Sequence, residues 1–532
     1  MEPTASMSGG AGTLPVNAAQ PRAHLGKMIA ISLFWFAVTF HWTALQALII
    51  PAQIYGLLLH AAPAGTLAAR VAWVDAHKGL TEGIVLAPGL IVALLANPFF
   101  GLLSDRTPGR LGRRRPYILI GSFFNIGGLA LMALGPLLAT SDGSGLALAP
   151  SLLILMGGLM LTQLCNNAAA APFHALLPDM IPEEQRGMAS GIMGLALFLG
   201  QIGGAEVPTI FGFNIKALAD GTQALSVFDN RIALAYGSVA VVMVVFAILT
   251  ALTVHEQPWT PESATSGHGS AASGRALLLT MVAVVVIAAG TIGLTQARIG
   301  LSLDDTTLSI AQLLALVAAG IGAAIAFDFR PRRDPDFSWV VITRMLVMMG
   351  VYLVYTFLQY YMVDVVKSKN PSQDTSNFLV ILTITALIAT LAAGPVSDRF
   401  GRKRMVYISG AFMTLVGAAF ILAPYFVPGQ IVLITLISAA IFGLGYGAYV
   451  SVDWALVADV LPSETTYARD MGVWNIGLTI PQVLAAVFGG ALLTLGVSIG
   501  QKQLGYTFLF ISFVVFCILG TVTVRYIKGV KR

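Results

Sequence analysis

The sequence predicts an all-α polytopic membrane protein with two six-helix bundles in parallel repeat and two extra central spans, fourteen spans in all. Three observations predict this fold. Hydrophobic residues make up 57% of the 532-residue chain and charged residues only 10%, whereas soluble proteins carry roughly 25% charged residues. Apolar runs of about 20 residues, the length that crosses a bilayer, recur along the chain. A charged loop and a second short motif each occur twice.

The predicted regions follow the apolar runs in order. Residues 1–26 form a disordered cytosolic tail, 27–254 the N-terminal six-helix bundle, 255–337 a linker with two inserted spans, and 338–532 the C-terminal six-helix bundle. The spans are expected near 28–50, 80–103, 117–139, 151–172, 188–211 and 232–254, then 276–296 and 307–327, and finally 339–361, 377–397, 405–424, 430–453, 471–495 and 505–527.

Basic residues predict the orientation. With the N-terminus inside, 21 of the 30 lysines and arginines lie in inner tails and loops and eight in outer loops. Cytoplasmic loops normally carry this excess. We therefore expect a multi-pass monomer in the plasma (inner) membrane, with both termini in the cytosol. The basic residues do not cluster on a soluble face, so nucleic acid is not an expected partner.

The sequence carries no signature of an enzyme. Cys165 and Cys517 both lie inside apolar runs, so they indicate neither a disulfide framework nor a metal site. Walker, HExxH and GxSxG motifs are absent from the sequence. We expect neither catalysis nor a bound cofactor or metal.

Two repeated motifs establish the internal duplication. GLLSDRTPGRLGRRRPYILIG, from Gly101, recurs as GPVSDRFGRKRMVYISG, from Gly394. ALLPDMIP, from Ala175, recurs as ALVADVLP, from Ala455. Each copy falls at the same place in its set of six spans, which predicts two halves in parallel orientation. An inserted pair of spans preserves that orientation because it is even in number.

The two charged loops resemble the inter-span signature of the major facilitator superfamily. The resemblance covers nearly the whole chain except the tail and the middle insert. In that family the loops join spans 2–3 and 8–9 and act as a cytoplasmic latch. An aspartate at a helix C-terminus, where the dipole disfavours negative charge, needs a cationic partner or another helix's N-terminus. The resemblance implies gating roles for Asp105, Arg106, Gly112, Arg113, Asp398, Arg399, Gly401 and Arg402.

A narrower resemblance concerns three segments of the first half. HWTALQALIIPAQI, GLIVALLANPFFGLLSDR and CNNAAAAPFHALLPD resemble the sucrose-carrier branch of the glycoside–pentoside–hexuronide cation symporters. The resemblance implies uptake of a sugar or glycoside together with a cation. Ala93 and Asn97 stand where melibiose-type relatives bind sodium with carboxylates, and Gln163 stands where plant sucrose carriers have an acidic residue. Because neither familiar cation site is present, we favour coupling to a proton that binds at a different site.

Polar side chains inside the spans predict a substrate site. We number the spans without the inserted pair. On span 4, Gln163, Asn166 and Asn167 form one stripe along the helix. Amides are costly in hydrocarbon unless they are paired, so we expect them to face a wet central cavity or, alternatively, to join helices. The expected binding set is Trp42, Gln46, Gln163, Asn166, Asn167, Gln201, Tyr352, Tyr355, Gln359, Tyr446, Tyr449 and Gln482, with Gln53 on the face of Trp42 and Gln46.

Ionisable residues inside the spans are candidates for proton coupling. Each costs about 2.5–3.5 kcal/mol at mid-bilayer on insertion scales, so its presence needs a reason. Histidine titrates near physiological pH, which suits proton exchange at His41. Asp453 and Glu206 complete the coupling candidates, with purely structural roles as the alternative. Arg344 is expected to extend to the inner interface.

These observations predict a secondary active transporter. Two bundles would alternate around a midplane site and take up a sugar, glycoside or similar polar solute with a proton. A proton-coupled drug or metabolite efflux antiporter is the first alternative, because fourteen spans also occur in that class. A membrane sensor that binds its ligand without turnover is an alternative of a different class.

Overall fold

The computed structural model describes residues 23–105, 107, 111–138, 150–174, 176, 180–182, 185–254, 256, 314, 331–460 and 467–529. This part of the chain is helical and contains no strand. Both inserted spans, apart from Leu314, and most of the predicted tail and linker lie outside the described residues. The total of fourteen spans and the four region boundaries therefore remain predictions.

The first half contains six long helices, which we number α1 to α6. Helix α1 runs from Leu25 to Ala61 and contains a π-helical turn at Leu45–Ile49. The others are α2 (Leu67–Asp105), α3 (Arg115–Ala133), α4 (Pro150–His174), α5 (Arg186–Ala205) and α6 (Leu225–Thr253). Two short helices, Val207–Phe211 and Ile215–Ala219, link α5 to α6.

The second half repeats the set. Its helices are α7 (Pro335–Asp364), α8 (Pro371–Phe400), α9 (Arg402–Phe426), α10 (Ile431–Val460), α11 (Tyr467–Ser498) and α12 (Lys502–Thr523). Helices α7 and α8 begin at Pro335 and Pro371, where the missing N–H of proline costs no hydrogen bond. The twelve helices match the twelve repeated spans, and the predicted all-α fold is confirmed for the described residues.

Eleven of these helical segments are long and apolar enough to cross a membrane. Helix α2 has 39 residues, almost twice the roughly 20 that a span needs. The predicted apolar run starts near residue 80, so the first turns of α2 extend beyond it on the side away from the basic loops. We call that side the outer side, as the positive-inside pattern predicts.

Helix packing reproduces the duplication. In the first half α1 packs on α5 and α6, α2 on α4, and α3 on α4 and α6. In the second half α7 packs on α11 and α12, α8 on α10, and α9 on α10 and α12. Each pair in one half has its counterpart six helices later. The parallel repeat inferred from the two motifs is therefore visible in the packing.

The two halves meet along two seams, α2 against α11 and α5 against α8. Small residues allow the first seam to close tightly. A Cβ at Gly490 would lie 2.3 Å from the Gly79 carbonyl oxygen, and one at Gly83 would lie 2.8 Å from the Ala486 carbonyl oxygen. Any larger side chain would hold α2 and α11 apart. All three glycines lie towards the outer side.

The π-helical turn changes the expected face of α1. Gln53 follows this turn and is buried between neighbouring helices. Its amide donates to the Met132 carbonyl of α3, and Tyr236 of α6 donates a hydrogen bond to its side-chain oxygen. The expectation that Gln53 shares the face of Trp42 and Gln46 assumed an uninterrupted α-helix. The wider turn alters the register, so Gln53 joins helices instead.

Candidate functional site

A histidine cluster joins three helices of the first half. His41 of α1 is buried, with Asn125 Nδ2 of α3 at 3.1 Å from its Nε2 and Asn166 Nδ2 of α4 at 3.4 Å from its Nδ1. Neutral imidazole has one acceptor nitrogen and one N–H. The tautomer of neutral His41 therefore decides which asparagine can donate to it, and the protonated ring accepts from neither. His41 and Asn166 were predicted site residues, whereas Asn125 was not.

The remaining amides of the span-4 stripe pair beside this cluster. Asn97 of α2 donates to Asn167 Oδ1 at 3.1 Å, and Asn167 donates to the Gln163 carbonyl at 2.8 Å. Gln163 is buried, with 4% of its surface exposed. Asn97, which replaces a carboxylate of the sodium-coupled relatives, thus binds another amide. The structure brings these amides together inside the first half.

An arginine cluster joins three helices of the second half. Arg344 of α7 forms an ion pair with Asp453 of α10, and its guanidinium lies 3.4 Å from the ring centre of Trp474 on α11. Tyr449 donates to Asp453 Oδ1 at 3.2 Å. Arg344 is only 6% exposed. The expectation that Arg344 extends to the interface is wrong, because a carboxylate from another helix holds it inside.

Three of the four predicted tyrosines lie near the arginine cluster, while the fourth, Tyr449, is fully buried within it. Tyr352 and Tyr355 of α7 and Tyr446 of α10 are half-buried, although they lie in the middle of spanning helices. Tyr352 lies beside the half-buried Gln482 of α11, and both Tyr352 and Tyr355 lie close to Tyr446. This tyrosine face combines ring surfaces with hydroxyl and amide groups. It can stack against a sugar ring and bond its hydroxyls.

The π-helical turn of α1 packs against α7, so it connects the two halves at mid-depth. Gln46 lies in that turn, and its Nε2 is buried without a hydrogen-bond partner; Gln201 Oε1 on α5 is in the same state. Trp42 is half-buried, with its ring centre 4.7 Å from that of His41. Buried polar atoms are normally paired. Gln46 and Gln201 therefore retain binding capacity for a polar ligand.

Two of the predicted site residues lie outside the clusters described above. Gln359 is fully buried near the outer end of α7 and donates to Ser372 Oγ at 3.2 Å. Glu206 is half-buried where α5 meets the short helix Val207–Phe211. Both lie towards the outer side, away from the histidine cluster. Their predicted roles in binding and coupling remain untested proposals.

The repeated loops share one backbone feature. Gly112 has φ +87° and Gly401 has φ +91°, a region that side chains with a Cβ rarely adopt. The two glycines occupy matching places in the repeated motif. Glycine is therefore required for the turn itself in both halves. The side chains of Asp105 and Asp398, and all of Arg106, lie outside the described residues, while Arg399 is exposed.

Carboxylates bind both loops from elsewhere in the chain. Glu256, just beyond α6, accepts hydrogen bonds from the backbone N–H groups of Arg113, Arg114 and Arg115 at 2.8–3.0 Å. This carboxylate satisfies the free N–H groups at the start of α3. Arg402 forms an ion pair with Asp459 of the second repeated motif. Glu256 was not predicted as a loop contact, because its position falls within the predicted linker at 255–337.

The outer side carries a charge network that the sequence analysis did not find. Lys78 Nζ lies 2.8 Å from Asp75 and 2.7 Å from Asp364, and Lys502 Nζ lies 2.7 Å from each of the same carboxylates. Asp75 and Lys78 belong to α2, whereas Asp364 and Lys502 belong to the second half. We call these four residues the outer lock. They close the outer end of the α2–α11 seam.

Comparison with known proteins adds family membership to this geometry. A family model described as MFS/sugar transport protein matches residues 80–301, and one described as Major Facilitator Superfamily matches residues 340–531. The first of these models matches mainly the first half of the chain, and the second matches the second half. The chain belongs to the major facilitator superfamily. The predicted resemblance is thereby confirmed, and both matching families are transporters, as the sequence analysis expected of a chain without an enzyme signature.

Curated relatives agree with the sucrose-carrier branch. Sucrose transport protein SUC3 of Arabidopsis thaliana is 32% identical over 123 residues, 21% of this chain and 20% of that protein. Proton-associated sugar transporter A of Homo sapiens is 29% identical over 181 residues, 32% and 22% of the two chains. General alpha-glucoside permease of Schizosaccharomyces pombe is 27% identical over 147 residues, 27% and 26%. The matched segments span only about a fifth to a quarter of these relatives.

Solved structures show the same fold over nearly the whole length. The xylose transporter XylE from E. coli superimposes with a TM-score of 0.56 at 15% identity, covering 94% of this chain and 98% of that one. A POT family transporter in complex with a thioalcohol-conjugated peptide gives 0.64 at 14% identity, covering 94% and 96%. At these identities the similarity establishes the major facilitator fold alone.

Proposed function

We propose that this protein is a secondary active transporter that takes up a sugar, glycoside or similar polar solute with a proton by alternating access. The observation that carries the proposal is the distribution of polar groups between the halves. The first half contributes the histidine cluster and the free amide of Gln46, and the second contributes the tyrosine face. Amides and aromatic rings are the groups that bind sugar hydroxyls and sugar ring faces.

Relatives named for sucrose, alpha-glucosides and proton-associated sugar transport support this substrate class. The binding groups proposed are Trp42, Gln46, Gln163, Asn166, Asn167, Gln201, Tyr352, Tyr355, Gln359, Tyr446, Tyr449 and Gln482. The gating residues proposed are the eight of the two repeated loops. The bilayer location, the cytosolic termini and the monomeric state belong to the same proposal.

Proton coupling is proposed at the two buried clusters. A proton on Asp453 would remove the negative charge that holds Arg344, and a proton on His41 would turn its acceptor nitrogen into a donor. Either event breaks a contact between helices of one half. Protonation can thereby bias the equilibrium between two conformations. Glu206 remains a third and more peripheral candidate.

Transport is tested in proteoliposomes to which a panel of radiolabelled sugars and glycosides is added from outside. We expect accumulation under an inward proton gradient, its collapse with a protonophore, and no response to an imposed sodium gradient. Substrate-induced proton movement of the opposite sign would indicate the efflux alternative. Saturable binding without flux would indicate the sensor.

Coupling at His41 is tested separately with His41→Gln, which keeps a polar side chain between Asn125 and Asn166. We expect sugar exchange across the membrane to continue while gradient-driven accumulation falls at least tenfold. Asn125→Ala is the matched control, because it removes one asparagine but leaves the titrating group. Full accumulation in His41→Gln would exclude this residue from coupling.

A further inference from the structure

Glu82 of α2 is a fully buried carboxyl at the junction of the two halves. None of its surface is exposed. Tyr360 of α7, in the opposite half, places its hydroxyl oxygen 3.0 Å from Glu82 Oε2 and 3.1 Å from the Pro51 carbonyl oxygen of α1. Glu82 Oε1 is buried without a hydrogen-bond partner. The site therefore joins α1, α2 and α7.

The hydrogen bonds at this junction indicate whether the Glu82 carboxyl is protonated. The contacts to Glu82 and to Pro51 are two hydrogen bonds, and the Tyr360 hydroxyl carries only one hydrogen. If the Glu82 carboxyl carries a proton, it donates to Tyr360, and Tyr360 donates to Pro51. Both bonds are then formed, and the oxygen left without a partner belongs to a neutral group.

Among the described residues, the charges around the junction leave no cation for an ionised Glu82. The outer lock contains two lysines and two aspartates, so it is electrically neutral without Glu82. Lys78, one turn before Glu82, lies over the ring of Tyr360 at 5.0 Å but forms its ion pairs with Asp75 and Asp364. The titratable groups near Glu82 are Asp75 and Lys78 on α2, Tyr55 on α1, Tyr236 on α6, Tyr360 and Asp364 on α7, and Lys502 and Tyr506 on α12.

Of the remaining neighbours of α2, helices α4 and α11 bring no titratable residue to this depth. Gly83 lies against the backbone of Ala486 and Val487, so closure of the α2–α11 seam keeps water from Glu82. An isolated ionised carboxylate in such surroundings costs several kcal/mol by the usual estimates. When the seam opens, water reaches the carboxyl and ionisation becomes inexpensive. Closure and protonation of Glu82 are thus linked.

We propose that Glu82 is a proton-binding site of the outer seam, and that its carboxyl must take up a proton from the outer side before the two halves can close there. The proton comes from outer water while the seam is open and returns to it on reopening. Glu82 therefore makes closure depend on outer pH without carrying a proton across the membrane. The proposal extends the proposed function, since it concerns the conformational cycle rather than the substrate.

The test measures the distance between the halves on the outer side in the absence of sugar. Thr222→Cys and Gln430→Cys place spin labels on exposed outer loops of the first and second half, and the two native cysteines are buried. In nanodiscs, we expect the closed population of the parent protein to rise on acidification. The ratio of open to closed forms should change by up to tenfold per pH unit, the limit for one linked proton.

Glu82→Gln imitates the protonated carboxyl and keeps an N–H donor towards Tyr360. We expect it to be closed at every pH, whereas Glu82→Asp, which still titrates, should keep a pH-dependent ratio. Asp220→Asn is the control, since Asp220 is an exposed carboxyl on the same side; it should respond like the parent. Monodisperse elution and thermal unfolding verify that each variant is folded.

An unchanged pH response in Glu82→Gln, or a response lost equally in Asp220→Asn, would overturn the proposal. So would closure driven by sodium at constant pH, which would assign the site to a metal cation. These outcomes do not depend on the sugar experiment. Flux with an unaltered pH response in Glu82→Gln would refute the Glu82 site alone, and pH-dependent closure without flux would refute the transport function alone.

Discussion

Single residues in this protein take their roles from partners far away in the sequence. Arg344 and Asp453 are 109 positions apart and form a buried ion pair. Considered alone, each residue is a charged side chain inside a span with no evident partner on its own helix. Together they join α7 to α10, and Trp474 covers the guanidinium. The pair is stable only while both partners are present.

Asp453→Asn leaves the Arg344 guanidinium as an uncompensated buried charge. We expect the free energy of unfolding to fall by about 3–5 kcal/mol, as for other broken buried pairs. Arg344→Gln should cause a comparable loss. The double variant should lose less than the sum of the two, because no lone charge remains. Denaturant unfolding of all four proteins measures the difference, and additive losses would contradict the pairing.

At the residue scale, the sequence predicts which side chains share a face of one helix. The span-4 stripe of Gln163, Asn166 and Asn167 lies inside the first half because helical periodicity alone puts these amides on one face. Asn97, the partner of Asn167, and His41, the partner of Asn166, lie on other helices. Helical periodicity carries no information about which helix lies opposite, so Asn125 and Glu82 were not identified.

Elements of this fold depend on glycine for two distinct reasons. Gly401 ends α8 with a positive φ, so a side chain there strains the backbone. Gly83 has an ordinary helical conformation, but a side chain there would meet α11. The first requirement concerns a single turn and the second concerns an interface. Substitutions separate the two effects.

Gly401→Ala should reduce stability through the backbone alone. The added Cβ meets no atom within 4 Å, so the expected cost of about 1–3 kcal/mol comes from the disfavoured φ. Gly429→Ala is the matched control, because its Cβ also meets nothing within 4 Å and its φ is not positive. Equal stability of the two variants in thermal unfolding would contradict the requirement for glycine.

Gly83→Leu should prevent the outer seam from closing. Even a Cβ would lie 2.8 Å from the Ala486 carbonyl oxygen and 2.9 Å from Val487 Cα. We expect sugar flux to fall at least tenfold while binding from the outer side is retained. Gly101→Leu, on the same helix with no atom of the described residues within 4 Å of its Cβ, should transport normally. Normal flux in Gly83→Leu would show that the seam need not close.

Helix positions were the most predictable elements. Each of the twelve predicted spans outside the insert coincides with an observed helix, because an apolar run of about 20 residues satisfies both the bilayer and the α-helical backbone. The ends of the helices differed more from the predicted limits of the spans. Helix α2 begins at Leu67, well before the predicted span at 80–103. The extra turns carry Asp75 and Lys78, which a hydropathy criterion excludes.

At the scale of the whole molecule, the described contacts between the halves concentrate on the outer side. The outer lock joins α2 to α7 and α12. At the second seam Thr209 donates to Gln373 Oε1 at 2.7 Å, and Lys216 donates to the Ser368 carbonyl at 3.0 Å. The structure is therefore closed on that side.

A disulfide across the second seam should hold this conformation. Thr209→Cys with Gln373→Cys joins positions whose side chains are in contact. We expect oxidation to abolish net sugar flux in proteoliposomes and dithiothreitol to restore it, because transport requires this seam to open. Each single cysteine variant should be insensitive to oxidation. Continued flux in a fully cross-linked protein would contradict alternating access at this seam.

The duplication was predictable at this scale, whereas the conformation was not. Repeated motifs survive in the sequence, and the shared helix pairs follow from them. Whether the outer or the inner side is closed depends on the relative free energy of two arrangements of the same two halves. Lys78 and Asp364, 286 positions apart, pair only in a state that is closed on the outer side.

The π-helical turn of α1 has a geometric consequence for the first half. In a regular α-helix the twelve steps from His41 to Gln53 would place their side chains about 120° apart around the axis. One residue absorbed at Leu45–Ile49 reduces that angle to about 20°. Both residues can then reach α3, at Asn125 and at Met132. If Leu45–Ile49 were regular α-helix with no residue removed, the outer part of α1 would be rotated by about 100° and Gln53 would be withdrawn from α3, although every amino acid that forms these contacts would still be present.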